Sequence, residues 1–121
     1  MTEQPEITPE DLDAGVKQVA LEYRPGKRTE DMPAQIELRA ISLRQKGRAA
    51  ERIAAREKAG DEVTNWDYNL ETLIGCLPMP WNKEEFLDRL TPECGVRLVN
   101  IALLLSYGPA PKKNEPAGEA P

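Results

Sequence analysis

Prolines decide where regular structure can run in this chain. There are eleven, crowded towards the two ends and at Pro78 and Pro80. A proline inside a helix or central strand removes a backbone donor and clashes with the preceding turn, so their placement leaves the middle free for long elements. Some of them also mark helix starts. Thr8-Pro9-Glu10-Asp11 supplies a hydroxyl cap, a proline where its missing N–H costs nothing, and acids at the positive end of a helix dipole. Thr91-Pro92-Glu93 repeats that chemistry.

From the first start, Leu12, Val16, Val19, Ala20 and Tyr23 recur at helical spacing until Pro25-Gly26. Val, Leu and Tyr also alternate towards Tyr23, so residues 16–23 are open to a helix or a strand. Thr29-Glu30-Asp31 opens a second element with Pro33 in its first turn. Ile36, Ala40, Leu43, Gly47, Ala50, Ile53 and Ala54 then form one buried helical stripe, closed by Ala59-Gly60-Asp61. A third helix, capped by Asp61 or Thr64, carries Val63, Trp66, Leu70, Leu73, Ile74 and Leu77 on one face; Thr64-x-x-Asp67 is a loose capping box. After the rigid turn Leu77-Pro78-Met79-Pro80-Trp81, a short helix from Asn82 buries Phe86, Leu87 and Leu90. The last helix, from Thr91 to Tyr107, is apolar nearly all round and is therefore the central one, with Gly108 at its left-handed end.

The expected fold is all-α: a single small bundle of four to five helices over residues 8–108. Residues 1–7 are expected to be flexible. Residues 109–121, rich in Pro, Ala, Lys and Glu with no large apolar side chain, are expected to be a disordered tail. Cys76 and Cys94 stand 18 positions apart, outside any CxxC arrangement, and read as reduced, buried thiols. The acidic, polar N-terminus is no signal peptide and the longest apolar run, Ile101 to Leu105, is far too short to span a bilayer. A cytoplasmic location and no membrane partner are expected.

Charge is segregated. Residues 35–60 carry seven cations (Arg39, Arg44, Lys46, Arg48, Arg52, Arg56, Lys58) and three anions (Glu37, Glu51, Glu57), a net +4 in a chain of −5, which leaves −9 elsewhere. Arg44, Arg48, Arg52 and Arg56 recur every fourth residue, so they share one drifting helix face at a cost of a few tenths of a kcal/mol per like-charged pair. Such a face is solvated, paired within the molecule, or set to meet an acidic partner surface or a phosphate backbone. Nucleic acid is disfavoured: the sequence pI is about 4.9, and no aromatic side chain interrupts the helix for base stacking. A second candidate contact is the turn holding Met79 and Trp81, because aromatic anchors dominate binding hot spots; Trp66 and Phe86 read as core.

Catalysis is not expected. There is no histidine, hence no His-dependent triad or His-based metal site. The acidic pairs Glu30-Asp31, Asp61-Glu62 and Glu84-Glu85 sit near helix starts, where the dipole accounts for them. No phosphate-cradling glycine loop and no GxSxG is present, and neither serine, Ser42 or Ser106, has a base beside it in the sequence. No cofactor and no metal are expected.

Trp66-Asp67-Tyr68-Asn69-Leu70-Glu71-Thr72-Leu73-Ile74, then Pro80-Trp81, then the Leu-rich helix 98–105 before a polar tail, give residues 30–121 a layout that resembles the tail assembly chaperones of long-tailed bacteriophages. That resemblance implies a helical, non-catalytic protein that shields a partner such as the tape-measure protein while tail tubes polymerise. The apolar stripe and basic face of residues 36–56 would be its contacts. Departures from the family are the heavily basic second helix and the lack of any frameshift-extended second domain visible over these residues. The alternatives are a small nucleic-acid-associated regulator using the basic helix 39–58, and an inhibitor that blocks a host enzyme through its acidic surface.

Overall fold

A computed structural model of the chain describes residues 7–108. It is a mixed α/β structure: α1 (Pro9–Ala14), β1 (Val16–Ala20), β2 (Gln35–Arg39), α2 (Leu43–Lys58), α3 (Asn65–Cys76), α4 (Glu84–Leu87) and α5 (Pro92–Tyr107). The all-α expectation is thereby corrected, because β1 and β2 pair as an antiparallel two-stranded sheet with Val19 opposite Ile36 and Lys17 opposite Leu38. The expectations of a flexible 1–7 and a disordered 109–121 fall outside the described residues, save for Ile7, which is buried against the core.

The helix starts follow the capping chemistry. Thr8 accepts from the Asp11 N–H while the Asp11 carboxylate accepts from the Thr8 N–H, a reciprocal box that satisfies two otherwise orphaned donors. Thr64 and Asp67 do the same at α3, and the Thr91 hydroxyl accepts from the Cys94 N–H at α5. The first helix then stops after six residues. Gly15 closes it at φ +73, a left-handed conformation that glycine adopts without steric cost, and the chain turns into β1. Residues 16–20, open between helix and strand in the sequence, are strand.

The second expected helix begins thirteen residues later than its Thr29 start. The Thr29 hydroxyl donates to the Asp31 carboxylate inside a local turn, and Ser42 is the cap that operates, accepting from the Gln45 N–H at 3.1 Å. Between them, Ile36 and Leu38 alternate inward with Gln35 and Arg39 outward, the period of a strand with one buried face. Leu43, expected in the buried stripe, is 87% exposed at the first turn of α2. Further along that helix, Gly47 has nothing within 4 Å of the place a Cβ would occupy. Gly47→Ala is therefore expected to stabilise the protein by about 0.5–1 kcal/mol, read as a higher midpoint in thermal unfolding.

The core lies where α5 meets everything else. Leu98, Val99, Ile101, Ala102 and Leu105 on α5 pack with Leu73 and Cys76 of α3, with Phe86 and Leu90, and with Val19, Ile36 and Leu38 of the sheet. The central place of the last helix is as its all-round apolarity implied. The 21–34 connection between the strands is sewn to the α4–α5 junction: Tyr23 bridges to Leu90, the Arg24 N–H donates to the Arg89 carbonyl, and the Thr91 N–H donates to the Glu22 carbonyl. Tyr23 also donates its hydroxyl to the Pro33 carbonyl at 2.6 Å and meets Phe86 edge-on. Cys76 and Cys94 are both buried and unbridged, and burial pushes the Cys76 thiol above its ordinary pKa. A deeply protonated thiol is a poor nucleophile.

Candidate functional site: the α2 groove

Helix α2 packs on α3, and that contact divides the arginine row. Arg52 Nε lies 2.6 Å from Glu71 Oε1. Arg56 reaches Asp67 at 3.4 Å and Asp61 at 4.0 Å. Asp67 is thus doubly employed: hydrogen bonds from the Thr64 backbone and hydroxyl hold its carboxyl below the usual carboxylate range, and Arg56 adds to the effect. Arg44 and Arg48 are exposed and form no ion pair among the described residues. Half of the row therefore fastens α2 to α3, and the other half faces outward.

On the other side of α2 from Arg44 and Arg48, which do not line it, lies a groove of about 300 Å³ between α2, α3 and the end of α5. Ala49 and Ile53, both buried, form its α2 wall together with Ala50, and Leu103 lies at its α5 side. Two aromatic side chains stand at its edge, Tyr68 at 47% and Tyr107 at 52% exposure. Lys46 closes one end: its ammonium donates to the Tyr107 hydroxyl at 3.0 Å and lies 4.5 Å from that ring's centroid, a cation–π geometry. Small residues on α2 keep the wall low. The arrangement can take apolar side chains from an approaching helix while Lys46 meets its polar flank.

The other sequence-derived candidates lie apart from it. Met79 is 81% exposed in the turn before α4, whereas Trp81 is half-buried and tilted against Phe86 with ring centroids 5.1 Å apart. Neither residue lines the α2 groove. Phe86 is core as expected; Trp66 is not, being 45% exposed. Sequence reasoning missed Tyr107 as a site residue, and its only local signal was an amphipathic ring on the last turn of a helix. The two serines have structural partners: Ser42 caps α2, and the Ser106 hydroxyl accepts from the Ile41 N–H at 3.0 Å.

Among the described residues, no group of three or more His, Cys, Asp or Glu side chains is placed to hold a metal ion. Nor is any helix long and apolar enough to cross a membrane. Compared with protein-family models, with curated proteins and with solved structures, the chain matches none of them.

Proposed function

We propose that the protein works without catalysis, by binding another protein, as an assembly chaperone or adaptor of the phage-tail kind acting in a host cytoplasm. It shields an apolar helical surface on its partner, a tail component such as a tape-measure protein. The observation that supports this most is the α2 groove: an apolar channel edged by Tyr68 and Tyr107, with Lys46 at one end. An unpartnered groove of this shape accepts the apolar face of an amphipathic helix. Arg44 and Arg48 then set orientation and encounter rate more than raw affinity.

The test is affinity capture on the full chain in its native host, run beside Ala50→Arg. Ala50 is exposed in the groove wall, and arginine suits a helix, so the change obstructs the channel without disturbing the fold. Capture of a tail structural protein by the wild type, lost or cut about tenfold or more by Ala50→Arg, is the expected result. Capture that ignores Ala50→Arg would sink the reading. So would binding to duplex DNA that depends on Arg44 and Arg48 and fades steeply with salt, which is the behaviour of a nucleic-acid regulator.

A further inference from the structure

On the opposite flank of α3 from Tyr68 lies a second groove, of about 260 Å³, bounded by α3, α4 and the first turns of α5. Its depth is apolar: Leu73 and Leu90 are fully buried beneath it, and Leu70 and Leu87 are half-buried in its walls. Trp66 and Val96 stand at its edge with nearly half of their surface exposed. At Gly95 an added Cβ would meet nothing within 4 Å, so the α5 backbone is open to approach. The polar edge is acidic. Glu84 and Asp88 lie one helical turn apart, the Asp88 N–H donating to the Glu84 carbonyl at 3.0 Å. Neither forms an ion pair among the described residues. The one cation at the edge, Arg24, turns its Nε to the Leu90 carbonyl at 3.0 Å.

We infer that this groove is a second binding site, for a protein helix that is apolar on one face and carries Lys or Arg beside it. The apolar depth and the exposed indole supply the kind of anchor on which helix recognition rests. The charge of the edge selects the occupant: Glu84 and Asp88 attract a cationic flank and repel an anionic one. The α2 groove, with Lys46 at its end, has the opposite preference. The two sites make the protein a two-sided adaptor that can hold segments of opposite charge on the two flanks of α3. This inference goes beyond the function proposed above and does not depend on what the α2 groove binds.

The experiment uses the full chain and two synthetic amphipathic peptides of about 15 residues, long enough to form a helix on the surface. They share one leucine face and differ in having Lys or Glu as flanking residues. The readout is emission from Trp66 in a Trp81→Phe background, which leaves a single indole in the protein, at the groove. The Lys peptide is expected to shift that emission with about tenfold or more greater affinity than the Glu peptide, and to weaken as salt rises. Glu84→Lys with Asp88→Lys is expected to abolish that preference, whereas Glu10→Lys with Asp13→Lys, on the exposed side of α1, leaves it intact. The milder pair Glu84→Gln with Asp88→Asn loses part of it, which guards against a folding defect in the reversal. Equal response to the two peptides would overturn the inference, as would equal loss in the α1 and α4 variants. Ala50→Arg leaves all of these results unchanged, so either groove can fail its test alone.

Discussion

Leu38→Ala is expected to lower the free energy of unfolding by about 2–5 kcal/mol, the usual cost of emptying a buried leucine site. Leu38 has no exposed surface; it lies in β2 opposite Lys17, on the face that carries Val19 and Ile36 into the core. In urea the midpoint should fall while the slope stays constant, as for a loss of packing without a change in denatured-state compactness. Arg39→Ala, one residue along on the exposed face, should stay within about 0.5 kcal/mol, since its contact with Glu37 is a solvent-exposed ion pair. The contrast discriminates between two local structures. In a helix Leu38 would sit about 200° around the axis from Ile36, off the stripe that Ile36 and Ala40 define. A cost below about 1 kcal/mol would contradict the strand.

That ambiguity explains why the sheet was not legible. Over residues 36–43, Ile36, Ala40 and Leu43 fit steps of three and four, while Ile36, Leu38 and Ala40 fit steps of two. Five residues are too few for either period to win. What decides is a partner: β2 is a strand because β1 pairs with it, across a connection held by Tyr23 and by backbone bonds to the α4–α5 junction. No local pattern encodes that pairing. Capping is the opposite case, because Thr8, Thr64 and Thr91 each act within three residues of themselves; the starts at Thr8 and Thr91 were readable, and Thr64 was one of the two caps open for α3. Thr29 carried the same signal and failed: the Met32 N–H closes one turn on the Thr29 carbonyl, and the chain then extends into β2 instead of continuing as helix.

The candidate site divides in the same way. A row of arginines at spacing four is a property of one helix and was visible as such. Which of them face outward depends on Glu71 and Asp67, which arrive on α3 and engage Arg52 and Arg56. The grooves were invisible for the same reason. Trp66 and Tyr68 stand two positions apart in sequence, yet they edge opposite flanks of α3, and only the packing of α2 on one side and of α4 and α5 on the other gives them different neighbours.

Gly75→Val is expected to be the second most damaging change, costing about 1–3 kcal/mol through overpacking at the α2–α3 junction. A Cβ built on Gly75 would stand 2.6 Å from Ile41 Cδ1, 2.9 Å from Ile41 Cγ1 and 3.3 Å from Gln45 Cβ. The tip of Ile41 can swing aside, but its Cγ1 is less free, because the Ile41 N–H is fixed to the Ser106 hydroxyl on α5. Alanine at this position gains about 1 kcal/mol in helix propensity, which offsets much of its own crowding, so Gly75→Ala should change stability by less than about 1 kcal/mol. Valine has no such compensation: its branched Cβ adds two methyl groups to the side that is already full and is a poorer helix former. Ile41 also lines the α2 groove. Displacing it should therefore weaken partner binding in the fraction of Gly75→Val that remains folded, whereas Gly47→Ala, on the open side of α2, should leave binding unchanged. Equal stability of the glycine and valine forms in urea would mean that α2 and α3 do not meet as closely at this point as the junction requires.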